Sequence, residues 1–599
     1  MAQYFVIFPC YNWSVSSYED MNREELIAEI GKLKRQKKFG LVWEDKPENV
    51  ARECEQKLPV LDEISEREII KAENTTPTNL LIEGDNYHSL SVLNYTHKGK
   101  IDLIYIDPPY NTKNKDFVYN DRFVDMEDSF RHSKWLSFMD KRLRLSKDLL
   151  AEDGIIFISI DDNEQANLKL LCDSVLGEEN FIAEFIIDKT AQGANQSVTF
   201  KTQHEFCLLY CKNQTKQDVN YEIIGDFDKK KFKYKDDKGF YAITNSFDSI
   251  NSPLANNKNR GYTVYYNEQT LEACVEDEYD RESNAFRGLN EGLVKRGFTP
   301  IRPSIRNRVQ YPWNWKRERF LEQYKDELVF LRNRKGNLQI YHKNRATGAT
   351  KDTTIKKFDT RQFGNQMLND ILGEKLFDYP KSLDMMTWVL SKHKNKAAIV
   401  LDFFAGSGTT GHAVMKLNKE DGGNRQFILC TNNENGIAEN ITYKRIKKVV
   451  SGYGEDTKKV DGIPANLRYF RTSFVEKDKC TDTTRAKLVA RCADMIRIRE
   501  DTFDIIADAN EYKLYSSSKV FTAIVFDPFK IAKIWQEIES KNTGKLPVKL
   551  YISSYSRDTS AFTDEIPETN LIYESVSIPE SILQVYKRLF KKKEARNEL

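Results

Sequence analysis

The stretch IDLIYIDPPYNTKN, residues 101–114, begins as a strand and stops abruptly on two prolines and an aromatic residue. Ile101, Leu103, Ile104 and Ile106 make the apolar, β-branched run of a strand buried on both faces, as in a parallel sheet. Asp107 stands at its carboxyl end. Pro108 and Pro109 fix φ and lack an N–H, so neither continues a ladder and the chain presents its carbonyls in a rigid conformation. Tyr110 adds a flat π-face. A carboxylate, a fixed carbonyl and an aromatic plane together can grip a planar, amino-bearing ring. A plain proline turn is the competing reading, and four residues alone do not separate the two.

Around this stretch the chain runs to 599 residues, too many for one core, and implies roughly three or four domains. Lys and Arg (92) nearly balance Asp and Glu (90), so binding to nucleic acid has to come from a local basic surface. Nine scattered cysteines read as reduced thiols without a disulfide framework. Cys207 and Cys211 fall in the strand-like HEFCLLYCKN with no second Cys or His pair at zinc-site spacing, so no metal is expected. The opening MAQYFVIFPCYNW is apolar, yet it lacks a basic n-region and is too short to span a bilayer. The expectation is a cytoplasmic protein with no membrane contact.

Residues 1–75 read as a charged, mostly helical arm, with a clean helix opening at Met21. From NLLIEGDNYHSLSVL onward an apolar strand, a Gly-Asp turn and an amphipathic helix carrying Leu90 and Leu93 begin a regular alternation of strands and helices that fills residues 76–213. Residues 214–365 are polar, turn-rich and locally basic, as in an inserted domain. The alternation returns over 366–455, and 456–599 reads as a further α/β module with strands KVFTAIVFD and VKLYISS.

The second part of the alternation contains IVLDFFAGSGTTGHAV, where a strand runs through glycines straight into a helix and lets a ligand approach the backbone and the helix N-terminus. The lysine of a GxxxxGK[ST] loop is absent, which removes the usual partner of β/γ-phosphates. The strand FILCTNNE then ends at Glu434, where a carboxylate can accept hydrogen bonds from ribose hydroxyls. Such a Rossmann-like nucleoside site suits either NAD or S-adenosylmethionine.

Taken together, these motifs resemble a known family. Asp107-Pro108-Pro109-Tyr110 is similar to the catalytic motif of amino-methylating DNA methyltransferases, and Phe404-Ala405-Gly406-Ser407-Gly408 to their S-adenosylmethionine loop. The catalytic motif comes first and a long insertion separates the two, an order that resembles the β-class N6-adenine enzymes, in particular the modification subunits of type III restriction systems. GDNYHSL, DGIIFISIDDNE and FDYPKS add to the match, which covers residues 76–213 and 365–455. The resemblance implies a doubly wound, circularly permuted α/β sheet with an inserted target-recognition domain.

It also implies roles. Asp107 and the Pro108 carbonyl accept the two N6 hydrogens of an adenine flipped out of DNA, Pro109 completes the rigid turn, and Tyr110 stacks on the base. Asp85 binds the adenine amino group of S-adenosylmethionine and Glu434 its ribose, unless Glu434 is a solvated loop acid. The run Asp402-Phe403-Phe404-Ala405-Gly406-Ser407-Gly408 holds the cofactor, with Phe404 to Gly408 at its methionine portion. Lys381 contacts the cofactor carboxylate or shapes the loop. Asp161 and Asp162 serve either a pocket or a helix N-cap. Methylation at cytosine C5 is rejected, because the Pro-Cys pair it needs occurs only as Pro9-Cys10, outside the sheet. N4-cytosine methylation and a catalytically idle DNA-binding scaffold remain as alternatives.

The insertion carries Arg302, Arg306, Arg308, Arg317, Arg332 and Arg334 among aromatics such as Trp313 and Trp315, and is expected to bind double-stranded DNA. The competing reading makes these a solvated surface around a small YPWNW core. In the last module, Ile531, Ile534 and Trp535 on one helix and Leu583, Val585, Leu589 and Phe590 on another either dock a partner or finish their own core. The family resemblance implies a homodimer and a restriction helicase-nuclease as partners.

Overall fold

A computed structural model describes residues 41–590 except 74–75, 113–116, 120–121, 125–127, 190–201, 220, 224–231, 250, 334, 346–349, 457–458 and 555. The helix expected at Met21 and the candidate Arg334 lie outside the described residues. Two compact units form, Met1–Asn220 with Thr353–Leu599, and Tyr221–Asp352. The inserted unit is therefore shorter at both ends than the 214–365 span expected.

An eleven-stranded sheet organises the first unit. Its main strands are β1 (Lys57–Glu63), β2 (Thr78–Glu83), β3 (Ile101–Ile106), β4 (Leu150–Ile160), β5 (Phe181–Lys189), β6 (His204–Cys211), β7 (Ile355–Phe358), β8 (Ile399–Asp402), β9 (Gln426–Thr431) and β10 (Asn466–Glu476). They lie in the order β1-β10-β2-β9-β8-β3-β4-β6-β5-β7, and the short strand Ile69–Ile70 pairs with β10. From β10 across to β4 all pairs are parallel. Strand β8 has the later β9 on one side and the much earlier β3 on the other, so strand order reverses there.

Alternation sends successive side chains to opposite faces. Ile104 and Ile106 enter one core; Leu103 and Tyr105 enter the other. The first core is covered by α1 (Asn49–Gln56), α2 (Asn86–Thr96), α3 (Arg131–Leu149) and α4 (Gln165–Leu176), the second by α5 (Leu383–Leu390), α6 (Thr409–Asp421) and α7 (Lys444–Ser451). Helices on both faces of a largely parallel sheet make a doubly wound α/β fold.

The C-terminal segment departs from the expected boundary at 455. Strand β10 belongs to the large sheet, as does β1 from the expected N-terminal arm. Beyond α8 (Thr481–Arg491) and α9 (Ala493–Glu500), a second sheet forms from β11 (Asp504–Asp508), β12 (Tyr512–Ser516), β13 (Phe521–Val525), β14 (Val548–Ser554) and β15 (Tyr573–Pro579) in sequence order. Ile531, Ile534 and Trp535 of α10 (Ile531–Lys541) are buried against one face of it. On the other face Ile524, Tyr551 and Ile578 join the first core of the large sheet, together with Ile582 and Tyr586 of α11 (Glu580–Phe590). Leu583, Val585, Leu589 and Phe590 pack against that same core. The apolar faces considered for a partner are thus used within the chain. Helix α2, expected to be amphipathic, is buried on every side from Tyr87 to Thr96 because this shared core covers its outer face.

Candidate active site

Four neighbouring parallel strands, β2, β9, β8 and β3, end on one cleft of about 340 Å³. Asp85 and Asn86 follow β2, Asp107 and Pro109 follow β3, Phe403, Phe404 and Gly406 follow β8, and Thr431, Asn432 and Glu434 close β9. Open α/β sheets hold ligands outside the carboxyl ends of their strands, where strand order reverses. The three carboxylates singled out from sequence, Asp85, Asp107 and Glu434, line this cleft together.

Local geometry explains each position. At Gly84 a Cβ would lie 1.9 Å from Thr472 Oγ1 of β10, so only glycine lets β2 turn there. Asp85 then caps α2, its Oδ1 accepting the Tyr87 N–H (2.7 Å), with Arg142 Nη2 at 3.5 Å. After β8, the buried Asp402 accepts the Phe404 N–H (3.0 Å) and the Thr410 hydroxyl, and Arg445 Nη1 donates to Ser407 Oγ (3.1 Å). Gly406 and Gly408 take positive φ of 50° and 75°. Burial raises the Asp402 pKa to about 7 against the pull of its hydrogen bonds. The run expected to hold a cofactor therefore divides. Phe403, Phe404 and Gly406 line the cleft, whereas Asp402, Ala405, Ser407 and Gly408 build the turn.

The turn after β3 is braced from two sides. Trp135 Nε1–H donates to the Pro109 carbonyl (2.7 Å), and Asn111, at φ 57°, donates to Glu164 Oε1 (2.5 Å). Asp107 belongs to a charged cluster in which Glu205 is buried and Asp107, Tyr110 and Lys381 are half-buried. The Tyr110 hydroxyl lies 2.8 Å from Asp107 Oδ1 and 3.1 Å from Glu205 Oε2. Lys381 Nζ donates to Tyr110 Oη (2.6 Å) and to both Glu205 oxygens (3.0 and 2.9 Å), and lies 3.2 Å from Asp107 Oδ1. Lys381, expected to contact a cofactor carboxylate or to shape the loop, has its ammonium held by Asp107 and Glu205, an opposite charge on either side favouring the charged form. Burial raises the Asp107 pKa and Lys381 partly offsets it. Burial opposes the Lys381 charge, but Asp107 and Glu205 outweigh it and hold its pKa above the ordinary lysine value. Burial also lifts the Tyr110 phenol well above its usual range, so it stays protonated.

Sequence reasoning missed several participants. Glu205 is 1% exposed and shares a buried strand face with Cys207, Leu209 and Cys211. A carboxylate in period two with apolar neighbours was the available signal. Glu48, Asn49 and Val50 reach the cleft from the segment taken for an arm, and Arg142, held by Glu48 Oε1 (2.8 Å) and stacked on Phe138, completes the wall. No local pattern marks these. Asp161 accepts the Asn163 N–H in a turn of its own before α4 and stands away from the cleft lining.

In the inserted unit, Trp313 and Trp315 are buried in a core with Phe247, Tyr262, Phe320 and Ile340. Two of the candidate arginines are engaged internally. Arg302 donates to Glu278 Oε2 (2.7 Å), Thr263 Oγ1 (3.1 Å) and the Arg287 carbonyl (2.6 Å). Arg332 is paired with Glu268 and donates to the Gly336 carbonyl (2.6 Å). Arg306, Arg308 and Arg317 are exposed, with Arg306 at 3.5 Å from Asp248.

A doubly wound sheet whose acid-lined cleft meets a braced Asp-Pro-Pro-Tyr turn defines the class of this protein as a Rossmann-like α/β protein with a nucleoside-type cleft. The chain belongs to the DNA methylase family of N6/N4 methyltransferases, whose model matches residues 101–444. Its relatives include the Mod subunit of the type III restriction-modification enzyme EcoPI from Escherichia phage P1, 32% identical over 60% of this chain and 58% of that one. The StyLTI Mod subunit of Salmonella typhimurium is 30% identical, over 63% and 56%. The type II methyltransferase M.KpnI of Klebsiella pneumoniae is 33% identical, over 62% and 84%. The match spans less than two thirds of the length of each of these Mod subunits. Among the described residues no helix is long and apolar enough to cross a membrane.

Proposed function

We propose that this chain transfers a methyl group from S-adenosylmethionine to the N6 amino group of an adenine flipped out of double-stranded DNA, at a sequence chosen by the inserted unit. The observation that carries the reading is the meeting of Asp85, Asp107 and Glu434 on one cleft beside the glycine turn after β8. The residues present fit the cofactor. Glu48, Asp85, Asp107 and Glu434 face a single guanidinium, Arg142, which suits a sulfonium cation, and Phe138 and Phe404 offer aromatic surface to an adenine ring. Gly406 has only Phe377 Cζ (3.6 Å) and its own turn near a Cβ position, leaving backbone open to a ligand. A cleft of about 340 Å³ is within the range of small-molecule sites.

When bound, the cofactor would supply an electrophilic methyl carbon carried on a sulfonium sulfur. The protein's task is to localise the amino lone pair and hold it in line. Tyr110 and Lys381 both converge on Asp107 Oδ1, so Oδ2 is the oxygen offered to an N6 hydrogen. The family resemblance makes the Pro108 carbonyl the second acceptor, and the Pro109 carbonyl already accepts the Trp135 N–H. Two acceptors favour a pyramidal nitrogen and stabilise the positive charge that develops on it. Positioning of this kind can contribute roughly 7–11 kcal/mol. Tyr110, fixed through its hydroxyl, keeps its ring in one plane for stacking on the base.

The same reading makes the protein a modification subunit of a type III-like restriction system, acting as a homodimer with a restriction helicase-nuclease. Those partners rest on the family resemblance, since α10 and α11 spend their apolar faces inside the chain. Incubation with radiolabelled S-adenosylmethionine and DNA, followed by sequencing for modified bases, tests the activity. N6-methyladenine in one sequence context is the expected result. N4-methylcytosine would replace adenine as the target, and no label on DNA would remove the reading. Light scattering should give a dimer, and a monomer both free and on DNA would remove that claim.

A further inference from the structure

Between Gly297 and Arg317 the inserted unit carries no Asp or Glu. Within that stretch the strands Ile305–Arg306 and Val309–Gln310 pair antiparallel, and Asn307-Arg308 make the two-residue tip that joins them. Both legs of this hairpin are tied down at the base. Gln310 Nε2 donates to the Pro303 and Ser304 carbonyls, and the Tyr311 N–H donates to the Ser304 carbonyl (3.1 Å). Just beyond the legs, Ile301 and Trp313 are buried in the core of the unit.

At the tip φ is 49° for Asn307 and 63° for Arg308, the pair of positive values that a type I′ turn requires. Asparagine visits this region more readily than most residues, and glycine is favoured in the second place. Arginine there holds a costly conformation, and strain kept at one residue points to a use for its side chain. Asn307 and Arg308 are exposed, and among the described residues neither the Asn307 amide nor the Arg308 guanidinium has a hydrogen-bond or ion-pair partner. On the adjoining strand, by contrast, Arg306 donates to Ser304 Oγ (3.2 Å) and lies 3.5 Å from Asp248. Arg302 and Arg332 are held by Glu278 and Glu268.

We propose that Arg308 reads a guanine of the recognised DNA sequence through the major groove. The inference rests on the reading of the inserted unit as the part that chooses the sequence. The major groove of B-DNA, about 12 Å wide, admits a two-stranded ribbon, against about 6 Å for the minor groove. On that edge guanine offers two acceptors, O6 and N7, which match two parallel N–H donors of a guanidinium. A hairpin without carboxylates also enters between the two phosphate backbones without repulsion. Ile305, 68% exposed on the leg beside the tip, gives an apolar surface for a thymine methyl of a neighbouring pair. The braced base keeps the tip in one conformation, so that the guanidinium meets one position of the sequence.

The test selects bound duplexes from a randomised DNA pool with the wild-type chain and with Arg308→Gly, and sequences them. Glycine suits the turn, so the variant should melt close to the wild type; a clearly lower melting temperature would mean that the arginine serves the fold and would overturn the inference. Wild type should fix guanine at one position, and Arg308→Gly should relax that position roughly ten- to a hundred-fold while the others hold. Uniform weakening at every position, with the salt slope reduced by about one, would make Arg308 a phosphate contact and overturn the reading. Unchanged discrimination would do the same. A second readout replaces that guanine by 7-deazaguanine, which removes N7 from the major-groove edge and leaves the minor groove as it was. Wild type should lose affinity and Arg308→Gly should not. An equal loss in both, or none in either, takes the contact away from this arginine or from this groove. The selection needs no methyl transfer. Bound DNA that is never methylated would therefore remove the functional reading alone, whereas a wild type that enriches no sequence would overturn the present inference.

Discussion

Two charged clusters in this protein look alike on paper and differ in what they leave free. Around Arg302, one guanidinium meets Glu278, a threonine hydroxyl and a backbone carbonyl, and its Nε and Nη2 donors are spent inside the unit. Around Lys381, one ammonium meets two carboxylates and a phenol at the edge of a cleft, and among the described residues the Asp107 contacts fall on Oδ1. An ion pair that closes on itself contributes to stability. One that carries surplus acceptors beside a cavity is equipped for chemistry.

The comparison can be broken at its strongest point first. Asp107→Ala should lower single-turnover methyl transfer by about 10³-fold or more, within the range removal of a preorganised electrostatic group can produce, with an unchanged circular dichroism spectrum. Near-normal turnover would mean that the Lys381 cluster is as structural as the Arg302 cluster. Next comes Lys381→Met, which leaves the buried Glu205 and the half-buried Asp107 without the Lys381 charge and should cost about 3 kcal/mol of stability in denaturant unfolding, the low end for breaking a buried pair. In any folded fraction the acid limb of the rate should move to higher pH, because the Lys381 charge that keeps Asp107 ionised is gone. An acid limb moving the other way would show that Lys381 does not act on Asp107.

Smaller effects separate the arginines. Arg302→Ala should cost about 1–3 kcal/mol in stability of the inserted unit, since it leaves Glu278 without its charged donor. DNA affinity should fall only through that instability. Arg317→Ala should leave stability within about 0.5 kcal/mol and reduce the salt slope of DNA binding by about one. If Arg302→Ala changes the salt slope while Arg317→Ala does not, the division between closed and free arginines is reversed.

The motif residues were legible because backbone chemistry confines them. A strand that ends in Asp-Pro-Pro has few conformations, and a strand that passes through FAGSG into a helix has few more, so Asp107 and Gly406 could be placed from local pattern. Asp85 and Glu434 followed from the rule that parallel strands present their carboxyl ends to one crevice. Glu205 was partly legible as a charge on an apolar strand face. Arg302 and Arg332 were not, because a guanidinium that reads phosphate and one that braces a hairpin have the same sequence signature until their acidic partners, Glu278 and Glu268, are brought near.

What the sequence determined by itself was the alternation of strands and helices, the proline turn after β3 and the glycine turn after β8, since these depend on φ restrictions and periodicity within a few residues. Only the tertiary structure decided which side chains complete them. Glu48 comes from a segment that reads as a charged arm, Lys381 crosses from the far side of the insertion, and β10 with α11 turns a seemingly separate module into part of the central core. Each depends on contacts between residues tens to hundreds of positions apart. Burial then sets their charge state, and neither the distance nor the burial is written in any local stretch of the chain.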